Sequence, residues 1–142
     1  MVKVELEGIA VSGDENQFLA LLRAPSGELV PIRIDSMQAI SIAAGRSSER
    51  PERPLTHDLM TSILELLDAT LERVDVTDLK DGVFYAMLVL ERSGVRFEVD
   101  ARPSDAMALA VRTNAPVYVA ERVVELAAMR DDDMGGTGGA EA

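Results

Sequence analysis

Charged and apolar residues alternate one by one at the start of the chain. Val2, Val4 and Leu6 are set against Lys3, Glu5 and Glu7, a period of two that predicts a half-buried strand. QFLALLRA (17–24), the turn PSGE and LVPIRI (29–34) extend this into a meander or hairpin pair. The period then lengthens. Over Asp35–Ala44, Met37, Ile40 and Ala44 share one helical face and Gly45 offers a stop, while GRSSERPERP (45–54) is polar, twice broken by proline, and reads as a loop. Thr56 suits the N-cap of HDLMTSILELLDA, where Leu59, Ile63 and Leu66–Leu67 recur at helical spacing and Met60 and Leu64 widen the stripe.

Lys80-Asp81-Gly82 separates TLERVDVTDL (70–79) from VFYAMLVLER (83–92), and Asp-Gly is a strong hairpin signal. The second of these strands is apolar on both faces, which places it centrally in the sheet. After a tight turn at Ser93-Gly94, Val95, Phe97 and Val99 alternate with Arg96, Glu98 and Asp100. Ser104 is expected to cap a helix running to about Arg112, with Met107, Ala110 and Val111 toward the core. A short strand (115–120) and a last helix (Glu121–Arg130) follow. The pattern predicts an α+β fold, a mixed and mainly antiparallel sheet with about four helices, in a single compact domain over residues 1–130. The acidic, glycine-rich tail 131–142 has nothing to bury and is expected to be disordered.

Composition narrows the chemistry. The absence of Cys excludes disulfides, thiolate metal sites and cysteine nucleophiles, and a single His excludes a multi-histidine metal site within one chain. The longest apolar run, Val83–Leu90, is far too short to cross a membrane, and MVKVELEG lacks the apolar block of a secretion signal. A cytoplasmic protein without membrane association is expected. The net charge is −11, but the tail holds four of the acids, so residues 1–130 carry 21 acids against 14 bases. That balance disfavours broad, non-specific binding to phosphate backbones, although a local basic patch can reverse the field at one site. No P-loop, dinucleotide fingerprint, nucleophile elbow or HExxH motif is present, and no organic cofactor is expected.

The candidate chemistry lies at element ends. His57 falls in the first turn of a predicted helix, where the positive helix end disfavours the imidazolium, so the neutral ring is available as a base or a metal ligand. It could equally hydrogen-bond a neighbouring loop. Asp58 complements the same helix end. Asp78 and Asp81 flank Lys80 at a hairpin tip, where the turn alone accounts for Asp81. Asp100 ends a strand, Arg102 lies in the link, and Asp105 opens the next helix. Two carboxylates across such a corner can share a divalent cation while Arg102 holds a phosphate, or Arg102 can simply bridge two acids that serve the helix end.

Three segments, RPLTHDL (53–59), DLKDGVFYAML (78–88) and DARPSDAMALAVRTNAPVYVAE (100–121), together resemble the bifunctional nuclease family, whose members are described as acting on both DNA and RNA. The resemblance runs from about Leu29 to Val124. It implies a compact α+β fold and self-association as a homodimer or higher homo-oligomer. At the first helix the family favours Gly and Glu where this chain has Asp35 and Gln38; were that Glu a metal ligand in relatives, Gln38 would be a weaker, neutral one. An enzyme that cleaves DNA as well as RNA has no obligatory 2′-hydroxyl nucleophile, so water is expected to attack phosphorus. Oxygen-rich surroundings favour Mg²⁺ or Mn²⁺, with Asp100 and Asp105 as ligands, joined by Asp78 or Asp81. His57 then orients or deprotonates water, and Arg53, Lys80 and Arg102 contact phosphate. The other function class compatible with the residues is a non-catalytic regulatory module that recognises a protein partner or a small anionic ligand.

Overall fold

The computed structural model describes residues 1–11 and 17–129. The elements run β1 (Val2–Val11), β2 (Phe18–Arg23), β3 (Leu29–Ile34), α1 (Ser36–Arg46), α2 (Thr56–Leu66), β4 (Thr70–Lys80), β5 (Val83–Arg92), β6 (Val95–Ala101), α3 (Pro103–Thr113), β7 (Val117–Val119) and α4 (Glu121–Ala127). The class is α+β, as the pattern predicts. The expected disordered tail lies outside the described residues.

Among the described residues the strands form one sheet in the order β3-β2-β1-β7-β4-β5-β6. Two antiparallel meanders, β1–β3 and β4–β6, are joined by β7, which pairs antiparallel with β1 and parallel with β4. Asp81 (φ 53°) and Gly82 (φ 79°) are both left-handed, the requirement of a type I′ hairpin turn. β5 is paired on both sides, but it lies beside the edge strand β6 rather than at the centre of the sheet, with Val83 and Tyr85 exposed.

Register carries one apolar row across five strands: Val4, Val117, Val74, Leu88 and Val99. The first four are at most 7% exposed, whereas Val99, on the outermost strand, is 41% exposed. β6 therefore departs from the half-buried strand its alternation predicts. Val95 and Phe97 are exposed with Val99, because no described element layers over that edge.

α3 is the central helix. Ala106 through Ala110 are all buried, since α1, α2, β4 and β5 pack around it. It starts earlier than Ser104: Arg102 is the N-cap and Pro103 takes the first helical position, where proline's missing N–H costs nothing. α2 likewise begins at Thr56, with Leu55 as N-cap, and Asp58 accepts the Leu55 N–H at 2.8 Å. No residue of α2 is buried, and Leu59, Ile63, Leu66 and Leu67 all face solvent.

α1 opens with a reciprocal capping box. The Gln38 N–H donates to Asp35 Oδ1 and the Asp35 N–H donates to Gln38 Oε1, each at 2.8 Å. Its buried residues are Ala39 and Ile42, while Met37 and Ile40 are exposed. Gly45 does not stop the helix, which continues to Arg46. Its role is close approach: a Cβ there would sit 2.6 Å from Val111 Cγ2 and 2.7 Å from Arg112 Nη1. Alanine normally stabilises a helix interior by roughly 1 kcal/mol over glycine. Here overpacking of the α1–α3 contact outweighs that gain, and Gly45→Ala is expected to cost a net ~1 kcal/mol in urea unfolding. A more stable variant would show that the contact relaxes freely.

Candidate active site

The starts of α2 and α3 and the middle of α1 meet at one point. Helical spacing puts Arg102 and Asp105 on one side of the first turn of α3, and α2 delivers His57 to that turn. His57 Nε2 lies 2.8 Å from Asp105 Oδ1, and His57 Nδ1 lies 2.6 Å from Ser41 Oγ on α1. The Asp105 carboxylate can only accept, so Nε2 carries the proton in the neutral ring and Nδ1 accepts the Ser41 hydroxyl hydrogen. A hydroxyl, an imidazole and a carboxylate thus form a directed chain. The His57 side chain is 12% exposed and Asp105 38%, so the base is sheltered while its partner reaches solvent.

Asp105 divides its oxygens. Oδ1 takes the imidazole and Oδ2 lies 3.6 Å from Arg102 Nε, with the Arg102 side chain 70% exposed. Arg102 and Arg33 of β3, with Gln38 of α1, line a cavity of about 260 Å³ between the N-terminal ends of α1 and α3 and the β4–β5 turn. Two guanidinium groups at one cleft suit a phosphate oxyanion. This local charge opposes the acidic average of the chain.

Asp58, next to His57, has a separate task. Its carboxylate accepts from Arg112 Nε at 2.8 Å and from the Leu55 N–H, and these bonds, Arg112 first, lower its pKa below 3.8. Arg112 is only 6% exposed in its side chain; it also donates to the Ala108 carbonyl, and its Nη2 is buried with no hydrogen-bond partner. Asp58 therefore serves as the counter-ion that docks α2 on α3.

Of the residues singled out from the sequence, His57, Arg102 and Asp105 come together. Asp100 does not join them. It pairs with Met87 in register, and strand alternation puts it on the sheet face opposite Val99 and Ala101. Asp78 is held by Arg122 at 3.0 Å and lies 4.0 Å from Lys80, whose ammonium sits 5.6 Å from the Tyr85 ring centre. Asp81 occupies the left-handed hairpin position, and Arg53 is exposed in the segment leading into α2. Among the described residues no three His, Asp or Glu side chains converge as metal donors, so the four carboxylates expected to bind Mg²⁺ or Mn²⁺ do not make a common site. Ser41, Arg33 and Arg112 escape sequence reasoning. The trace Ser41 leaves is one hydroxyl inside the apolar run ISIA, three residues after Gln38 and so on the same helical side.

A family model described as the bifunctional nuclease domain matches residues 20–132. An uncharacterised protein of Mycobacterium tuberculosis is 39% identical over 130 residues, which cover 91% of this chain and 77% of that protein. Bifunctional nuclease 2 of Arabidopsis thaliana is 26% identical over 113 residues, covering 78% of this chain and 34% of the plant protein. Bifunctional nuclease 1 of Oryza sativa subsp. indica is 26% identical over 98 residues, covering 67% and 30%. The chain thus spans about a third of the length of these plant relatives.

Proposed function

The chain belongs to the bifunctional nuclease domain family, and on that premise we propose that it hydrolyses phosphodiester bonds of DNA and RNA at the junction of α1, α2 and α3. The observation that supports this reading most is His57, held through both ring nitrogens, whose partner Asp105 also meets the cleft-lining Arg102. His57 acts as the general base and acid, Asp105 fixes its tautomer and offsets the charge of the imidazolium, and Arg102 and Arg33 hold the phosphate. Binding through only a few cationic groups is expected to depend modestly on salt, since the slope scales with the number of phosphates contacted.

Plasmid DNA and single-stranded RNA, each with EDTA or with added Mg²⁺ or Mn²⁺, test the proposal. Wild-type protein is expected to cut both, and His57→Ala to lose at least ~100-fold in rate with an unchanged circular dichroism spectrum. Equal cutting by His57→Ala overturns the assignment. Anion binding with no cutting in any arm favours the non-catalytic module.

We further propose that the chain works as a homodimer or higher homo-oligomer, with a second copy covering β6 and α2. β6 is an edge strand with unpaired backbone groups, and its Val95, Phe97 and Val99 are 41–53% exposed. α2 extends the same apolar surface. Its C-terminal carbonyl at Leu67 accepts from Arg92, which pairs with Val95, and its Leu59, Ile63, Leu66 and Leu67 are 46–82% exposed. Antiparallel pairing of two β6 strands about a two-fold axis would continue the buried row beyond Val99 and close both edges at once. Phe97→Asp is expected to turn the dimer into a monomer in light scattering. A monomeric wild type at micromolar concentration overturns the interface.

A further inference from the structure

We infer that Ser41 is the nucleophile of the reaction and that cleavage passes through a phosphoserine diester; the inference rests on the nuclease reading above and names the attacking group. Its basis is geometric. A hydroxyl lies 2.6 Å from a ring nitrogen, and the opposite nitrogen lies 2.8 Å from a carboxylate, the arrangement that activates a weak alcohol nucleophile. With Nε2–H committed to Asp105, Nδ1 is the ring's accepting atom, and the proton in front of it belongs to Ser41. Ser41 also shares the α1 side of Gln38, which lines the cleft with Arg33 and Arg102, and Arg102 is tied to the same Asp105. The cleft that Arg33, Gln38 and Arg102 line would hold the phosphate, and Asp105 links Arg102 to the His57–Ser41 pair.

The chemistry closes without a co-reactant other than water. In the first step Ser41 Oγ bonds to phosphorus, its proton passes to His57 Nδ1, and the bond from phosphorus to the leaving nucleoside oxygen breaks. That oxygen takes the proton from Nδ1–H and departs as an alcohol. In the second step water attacks the same phosphorus and gives its proton to Nδ1. The Oγ–P bond breaks, and Oγ recovers the proton. The sum is a diester and water going to a monoester and an alcohol. Neither step needs a ribose 2′-hydroxyl, so one route serves both DNA and RNA.

Two probes test this. Thymidine 5′-(p-nitrophenyl phosphate) releases a coloured leaving group, and a fluorophosphonate forms a stable adduct with an activated serine. Wild-type protein is expected to give a burst of p-nitrophenolate close to one per active site and a fluorophosphonate adduct on the peptide containing Ser41. Ser41→Ala is expected to lose both and to fall at least ~100-fold in turnover, with the same thermal transition as wild type. His57→Ala is expected to leave Ser41 unlabelled. Labelling of Ser41 in a protein that cuts no nucleic acid sustains the nucleophile and overturns the nuclease reading. Turnover by Ser41→Ala within threefold of wild type, or absence of any Ser41 adduct from wild type that cuts DNA, overturns the nucleophile and leaves His57 acting on water.

Discussion

Asp58→Ala is expected to lower stability by about 3 kcal/mol, a fall in Tm on the order of 10 °C, with α2 the first element to loosen. The cost comes from what the substitution leaves behind. Arg112 is almost fully enclosed, keeps one bond to the Ala108 carbonyl, and has one nitrogen already without a partner. Removing Asp58 strands a buried guanidinium. It also frees the Leu55 N–H at the start of a helix that buries no residue of its own. Asp58→Asn keeps an acceptor for that N–H but loses the charge, so it should fall between wild type and alanine. The pH dependence has a defined sign. The folded pKa of Asp58 lies below 3.8, so its contribution is complete above pH 3.8 and disappears as the pH drops through the lower folded value. Thermal melts between pH 3 and 6 should show that loss in wild type and not in Asp58→Asn. A Tm within 2 °C of wild type for the alanine variant would mean that Arg112 finds water, and that the pair is ornamental.

Asp105→Asn is expected to reduce the rate by about 10²–10⁴ while leaving the melting curve nearly unchanged. An amide oxygen at this position can still accept the His57 Nε2–H. It cannot offset the positive charge that the ring acquires when Nδ1 takes a proton, and its amino group offers a second arrangement that is worse. Should that group face Nε2, the imidazole must move its proton to Nδ1, and a protonated Nδ1 can no longer accept from Ser41. The substitution also releases Arg102 from its 3.6 Å contact, so substrate binding is expected to hold or tighten as turnover collapses. Single-turnover rates at saturating DNA separate the two effects. A loss below threefold would make Asp105 a strut between helices.

The extent to which this structure is legible in the sequence follows from how local each signal is. The hairpins and the strand alternation of β1–β5 depend on neighbours a few residues apart, and Asp81-Gly82 states its turn outright. The apolar faces of α2 and β6 are written just as clearly, yet periodicity shows only that a face needs cover. It does not say whether the same chain provides it, and among the described residues nothing does. Gly45 carries two meanings that sequence cannot separate, a helix stop or a contact point, and only the position of Val111 decides between them. In the site, His57, Arg102 and Asp105 are visible because element ends are where chemistry gathers. Ser41 is not, since its partner lies 16 residues away on another helix. Asp100 looks like a companion to Asp105 in the linear text, but the two-residue repeat of β6 sends it to the other face of the sheet.

β7 is three residues long, and its pairings have a bearing on how the molecule is made. Its partner β1 leaves the ribosome some 70 residues before β4, but neither acquires its shared neighbour until Val117–Val119 appear. Until then the nascent polypeptide holds two meanders with open flanks. Sheet closure is thus deferred until β7 emerges, and ribosome stalling before that point should yield a chain whose β1 and β4 are open to unwanted pairing.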